Sequence, residues 1–372
     1  MPRGPSCANL PPLMGENLTI GDLVITDPTS AKAYGNGPLS RWCARHLQDP
    51  RDEVFVRLTL KMLPLHVVLM TGVWFAIQRA PVPTWLPIAG YMAIWGWLTP
   101  PVILMLHCTM HRPFFKSGAL SKAHAFVLAA LSGIPTAYRV HHTGMHHVED
   151  NMGEDLSSTI RYRRDSFLHF LRYFFRFLFV IFEMPPYLWR RKRFQLARRA
   201  VVGEVTQYAI VGTALAIDWR FGLATFALPF ITCRFMMMVG NWGQHAFINV
   251  ERRNNGLANS ITCINSPYNQ RCFNDGYHIG HHLRANTHWT EYPEDLARNK
   301  EKYAENGAIV FQGLDFFLVS VLLWTKQYKT LARRFVRLGA PMTDDEVIAL
   351  LQKRVLPVVD APAVFVGRKA AA

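Results

Sequence analysis

The stretch Leu58-Thr-Leu-Lys-Met-Leu-Pro-Leu-His-Val-Val-Leu-Met-Thr-Gly-Val-Trp-Phe-Ala-Ile-Gln78, followed after Arg79-Ala-Pro-Val-Pro83 by Thr84-Trp-Leu-Pro-Ile-Ala-Gly-Tyr-Met-Ala-Ile-Trp-Gly-Trp-Leu-Thr-Pro-Pro-Val-Ile-Leu-Met-Leu106, decides the fold. A helix needs about 20 largely apolar residues to cross a bilayer of roughly 30 Å, and each half supplies them. Ala200 to Ala216 and Phe221 to Gly240 repeat the arrangement around Ile217-Asp-Trp-Arg220. Four crossings in two tight helical hairpins are therefore expected. The turns hold one Arg each, Arg79 and Arg220, against 15 Lys and Arg in residues 107–199 between the hairpins. Basic loops stay in the cytoplasm, so this connection and both termini are expected on that side.

Two further apolar segments fit a crossing less well. Phe167 to Trp189 contains Arg172, Arg176, Glu183 and Pro185-Pro186, a spacing of charge that suits a helix lying in the interface. Ala308 to Trp324 contains Asp315 and has basic residues on both flanks, and is read as interfacial too. Thr343-Asp-Asp-Glu346 is a capping box that opens a short helix to about Val355. The first 40 residues show no secretory signal and read as a loosely ordered tail, as does the chain after Pro357.

The composition agrees. Only 18% of the 372 residues are charged, yet the net charge is +15. A basic soluble protein would suggest nucleic acid, but no binding motif accompanies the charge, and no nucleic-acid partner is expected. A membrane protein with its positive charge on one side reconciles the two numbers. Six cysteines without C-x-x-C pairing argue for a reducing compartment and against a disulfide framework.

Of 15 histidines, nine fall in three short windows, 107–111, 141–147 and 278–282. His107-Cys-Thr-Met-His111 and His142-Thr-Gly-Met-His146 are i, i+4 pairs, which share a helix face and can converge on one metal. His147 is turned a further 100° or so and can face a second metal; His278-Ile-Gly-His281-His282 repeats the pattern. Asn241-Trp-Gly-Gln-His245, at the end of the fourth crossing, adds two more candidate ligands at i, i+4. The candidate ligands are thus His107, His111, His142, His146, His147, His245, His278, His281 and His282, with Asn241 completing a shell directly or through water. His141 is read as an orienting neighbour. His46, His66, His124, His169 and His288 are read as ordinary packed or solvated residues. Nine imidazoles exceed one ion's shell, so two metals with about four or five nitrogens each are expected, and imidazole alone does not choose among Zn, Cu, Fe and Ni.

The order H-x3-H, H-x3-HH, N-x3-H, H-x2-HH relative to two hairpins resembles the membrane fatty acid desaturase family. The likeness runs from about residue 55 to 340 and includes His147-Val-Glu-Asp-Asn151, Gly153-Glu-Asp-Leu156, and Asn274-Asp-Gly-Tyr-His278 with His288-Trp289 and Pro293. It implies an all-α membrane protein with four transmembrane helices in two hairpins and a cytosolic helical cap holding a di-iron site, whose ligands are the nine histidines with Asn241 in the position of the family's asparagine. It also implies O2 as co-substrate, a lipid or acyl substrate, and membrane lipids as surroundings. The chain then divides into an N-terminal cytosolic tail (1–54), a membrane desaturase domain (55–340) and a C-terminal helix and tail (341–372). The sequence has neither the HPGG haem motif that some relatives carry nor a G-x-G-x-x-G, so electrons are expected from an external donor of cytochrome b5 or ferredoxin type.

Some features stay open at the sequence level. Asp275, Asp155, Glu149 and Asp150 could orient imidazole N–H groups, Asp275 foremost. The run Trp189-Arg-Arg-Lys-Arg193 with Arg198-Arg199 suits anionic lipid, or docking of an acidic partner. Arg234 is expected to snorkel to the interface or to meet a substrate head group. Phe235-Met-Met-Met238 is read chiefly as helix packing, with an alkyl-chain wall as the alternative. Rival activities are hydroxylation on the same scaffold and, from another class, a His-rich metal transporter, whose site would lie nearer the bilayer midplane.

Overall fold

The computed structural model describes residues 18–252 and 255–358, and the fold is mostly helical. Glu53–Arg79 forms one 27-residue helix, about 40 Å long. It is followed by Trp85–Leu98 and Pro100–His111, two helices bent by 42° to one another. The bend falls at Thr99-Pro100-Pro101, where two successive residues lack an N–H and crowd the preceding turn; the Trp95 carbonyl just before it accepts from both the Thr99 amide at 2.9 Å and the Thr99 hydroxyl at 2.7 Å. Phe194–Ile217 and Trp219–Gln244 form the second hairpin. Three of these helices are long and apolar enough to cross a membrane, and four if the bent pair is one span.

The two hairpin turns lie at the same end. Gln78 donates to Asp218, Arg220 donates to Gln78 at 3.2 Å, and Trp74 meets Phe221 edge to face at 5.1 Å. Within the second hairpin, Arg234 is buried and paired with Glu204, and its guanidinium donates to the Leu178 carbonyl at 3.0 Å. It therefore neither snorkels nor faces a head group, because a carboxylate one helix away and the Phe177 and Leu178 carbonyls satisfy it first.

Phe167–Trp189 is broken into Phe167–Leu178, a 3-10 turn Val180–Phe182, and Met184–Arg190, whose first turn accommodates Pro185 and Pro186. Phe170, Tyr173, Phe174 and Phe177 are buried, while Leu168, Phe175, Phe179 and Phe182 stand out on the surface. Ala308–Trp324 is not one interfacial helix. Ile309–Gln312 is a buried strand, parallel to Ile261–Ile264, and only Phe316–Trp324 is helical, capped by Asp315 accepting from the Leu318 amide at 2.8 Å. The β-rich run Ile-Val-Phe satisfies its backbone against a partner 48 positions earlier, a pairing that local hydropathy does not reveal. That helix packs on Leu228–Gln244 at Gly243, where a Cβ would sit 2.3 Å from the Phe316 carbonyl oxygen.

At the N-terminus, residues 1–17 and Cys7 lie outside the described residues, but from residue 18 the expected loose tail is ordered. Thr19–Ile20 and Leu23–Val24 pair as a short hairpin, Ile20 and Ile25 are buried, and Asp27 accepts from the Asn265 amide and the Tyr277 hydroxyl, both at 2.7 Å. The capping box is present, with Thr343 and Glu346 bonded reciprocally at the start of Asp344–Arg354. The tail beyond residue 358 lies outside the described residues.

Candidate metal centre

The bend at Pro100-Pro101 leads into the helical turns that carry His107 and His111. The second box sits on Tyr138–Glu149, whose middle, His142–His146, is a turn of π-helix. The His147 amide donates to the His142 carbonyl, an i→i+5 bond that stacks these two residues one above the other. Hence His142 and His147 go together, their Nε2 atoms 3.1 Å apart, while His146 turns the other way. The i, i+4 expectation for His142 and His146 fails here because the turn is wider than an α-helix. His245 follows the C-terminus of the fourth long helix, and His278–Leu283 is a short helix that sends His278 and His282 to one side and His281 to the other.

Two groups result. His107, His111, His142 and His281 bring one ring nitrogen each within 4.8 Å of one another, and His146, His245, His278 and His282 do the same. His147 joins the first group, its Nε2 3.0 Å from that of His281. The groups are neighbours: the rings of His147 and His282 stack at 4.7 Å.

The atoms behind the rings fix which nitrogen faces inward. His245 Nδ1 lies 2.8 Å from the Asn259 carbonyl oxygen; a carbonyl only accepts, so Nδ1 carries the proton and Nε2 the lone pair. His146 Nδ1 lies 2.7 Å from Asp155, and His282 Nδ1 lies 2.8 Å from Asp150. Burial, reinforced by the neighbouring rings, holds His142, His147, His278 and His281 far below the usual histidine range and His245 down to about 3. These five rings are therefore neutral at pH 7. In the second group His146, His245 and His282 keep Nδ1 against an acceptor, which leaves Nε2 for the common centre. Buried imidazoles, three of them in the second group with the outer nitrogen held, are a donor set that suits a transition metal.

Asn241 sits behind the second group. Its amide nitrogen donates to the Ser157 carbonyl at 2.8 Å and to the Tyr173 hydroxyl at 2.7 Å, so its oxygen is the atom left to act as a ligand. Of the proposed orienting acids, Asp155 and Asp150 reach histidines. Glu149 instead accepts from Tyr187 at 2.6 Å and pairs with Arg191, and Asp275 accepts from Tyr268 at 3.0 Å. His141 is buried with neither ring nitrogen hydrogen-bonded, its Nε2 4.0 Å from Asp155, beyond hydrogen-bond reach. His66, His124 and His288 lie outside both groups and bond to the Met62 carbonyl, Thr59 and Asp52 respectively. Ser157, Asn259 and Tyr292 carry no spacing signal, yet they contact His146, His245 and His281.

The family model for fatty acid desaturases matches residues 83–313, a span that contains all nine box histidines. The chain belongs to the fatty acid desaturase family. No curated protein matches its sequence. Membership indicates an enzyme of oxidoreductase type acting on a lipid or acyl substrate, and it gives the paired histidine groups of this desaturase-family chain their natural reading as a metal site. Beside the first group is a cavity of about 20 Å³ touching His107, His111, His281, Asp275, Trp289 and Tyr292, room for one water-sized molecule.

Two variants probe these surroundings. Asp155→Asn removes the charge that anchors His146 and is expected to weaken metal retention by about 10–100-fold, read by chelator competition; unchanged retention would deny the carboxylate that role. Burial pushes the Asp275 carboxyl up to about 7, against the hydrogen bond from Tyr268. A carboxyl raised in the fold costs stability once pH passes its unfolded value. The metal-free protein is therefore expected to lose roughly 1.4 kcal/mol per pH unit from this group between about pH 4 and 7. Asp275→Asn should flatten that part of the thermal-stability profile and raise the melting temperature at pH 8.

Proposed function

We propose that the protein is a multi-pass membrane desaturase that introduces a double bond into a fatty acyl chain at a di-iron centre, using O2 and two electrons from an external donor of cytochrome b5 or ferredoxin type. The observation that carries this reading is the pair of adjacent all-histidine groups in a chain of the desaturase family. His107, His111, His142, His147 and His281 would hold one iron; His146, His245, His278 and His282, with the Asn241 oxygen, the other. When bound, the irons supply the O2-derived oxidising power needed to take hydrogen from an unactivated methylene.

The protein's own share is to hold, orient and exclude. Asp155, Asp150 and the Asn259 carbonyl fix three rings, and burial keeps water from the reacting carbon. Each turnover takes two hydrogens from the substrate, and reducing O2 to two waters consumes them with two further electrons and two protons. We place four crossings in two hairpins, with both termini and the histidines in the cytoplasm, on the charge asymmetry between turns and connection. The exposed Leu168, Phe175, Phe179 and Phe182 would then lie in the interface. We divide the chain into an N-terminal cytosolic segment (1–54), ordered from residue 18, a membrane domain (55–340) and a C-terminal segment with its helix (341–372).

Reconstitution tests this reading. Iron-loaded protein given reduced ferredoxin or cytochrome b5, O2 and an acyl lipid should yield a product lighter by two hydrogens, only when all components are present. A product heavier by one oxygen, with no alkene, would replace desaturation by hydroxylation.

A further inference from the structure

Of the basic run that ends the connection between hairpins, Arg191 pairs with Glu149 and Glu154, and Arg193 donates to the Gly144 carbonyl at 2.9 Å. Arg198 and Arg199 do something else. With Arg139 they line an open cleft of about 380 Å³ at the start of the long helix Phe194–Ile217. All three are exposed, no acidic residue lines the cleft, and no ion pair to any of them occurs among the described residues. Its floor is Gly203, where a Cβ would sit 2.5 Å from the Ala137 amide nitrogen; only glycine lets the helix back so closely onto that turn.

Three guanidinium groups around one cleft repel each other until an anion enters, and guanidinium suits the oxygens of phosphate. The helix surface running away from the cleft is apolar, with Val202 55% and Val205 52% exposed. A ligand with a phosphate at one end and a hydrocarbon chain at the other matches both features. We propose that this cleft binds the phosphate of an anionic phospholipid, with Arg139, Arg198 and Arg199 on the headgroup and an acyl chain along Val202 and Val205. A soluble phosphate ester carrying the chain offers the same headgroup chemistry; the continuous apolar surface favours the lipid. Arg139, Val140 and Thr143, on the cleft wall, belong to the same helical segment as His142.

The test needs neither iron nor turnover, so it fails or succeeds independently of the desaturase reading. Full-length protein in detergent is titrated with phosphatidylglycerol, with diacylglycerol as the phosphate-free counterpart and with coenzyme A as the soluble phosphate ester, and complexes are counted by native mass spectrometry. Wild type should bind phosphatidylglycerol, and the triple variant Arg139→Gln, Arg198→Gln, Arg199→Gln should bind it about tenfold or more weakly, with diacylglycerol unaffected. The corresponding triple Lys variant, which keeps the charge, should recover part of the affinity and guards against a folding defect in the Gln form. Tight coenzyme A binding that displaces the lipid and is lost in the variant would overturn the lipid assignment. Equal phosphatidylglycerol binding by wild type and both variants would overturn the site itself.

Discussion

Alanine at His281 is expected to lower bound iron from two ions to about one per chain and to cut double-bond formation by more than about 100-fold. His281 is central to the first group, its Nε2 lying 3.0 Å from those of both His107 and His147. Loss of a residue that merely orients a ligand already costs about 10–100-fold, so loss of the ligand should cost more. His288→Ala is the matched control. That ring is equally buried, but it meets Asp52 at 3.1 Å and Thr290 at 2.7 Å, so its loss should lower stability by about 1–3 kcal/mol and leave the iron count at two. Metal analysis of the two purified variants separates a ligand from a packed histidine; equal iron in both would remove His281 from the centre.

Arg164→Met should destabilise the fold by roughly 2–6 kcal/mol, at about 1–3 kcal/mol for each of two buried acceptors that lose their donor. The side chain is fully buried and spans three segments, donating to the Ile160 and Tyr162 carbonyls at 3.0 and 2.7 Å, to Ala246 at 3.2 Å and to Arg354 at 2.8 Å. Burial draws its guanidinium down to about 9, so it remains charged at pH 7. Methionine fills much of the space but removes the donor to the Tyr162 and Ala246 carbonyls, while the Ile160 and Arg354 carbonyls keep the Val358 and Ile248 amides at 2.9 and 3.2 Å. Ala246 is next to His245, so iron retention should fall along with the melting temperature. A thermal shift of only a degree or two would mean that water takes over the guanidinium's role.

The long apolar helices and the histidine boxes were legible because each repeats a simple period, and the bend at Pro100-Pro101 could have been read from the two prolines. The assignment of His142 and His146 to different groups could not. It depends on one extra residue in a turn, and a π-turn leaves no mark on an i, i+4 pattern. Arg234 taken by itself has no visible partner; the only acid in the preceding apolar helix, Glu204, supplies it. The strand Ile309–Gln312 and the hub at Arg164 depend on contacts with segments 48 to 190 positions away, beyond the reach of any local pattern. The tie between Asp27 and Tyr277 is of the same kind, so the order of the N-terminal segment leaves no local signal.

The central claim is that this chain removes two hydrogens from an acyl chain by means of its histidine-bound metals. The most direct measurement is mass spectrometry of total lipids from a heterologous host that expresses the wild type or His281→Ala under iron-replete, aerated conditions. The expected result is a new acyl species two mass units below its precursor in wild-type cells and its absence with His281→Ala. An unchanged lipid profile with iron-loaded, folded wild type present, or an oxygenated product alone, would contradict the account.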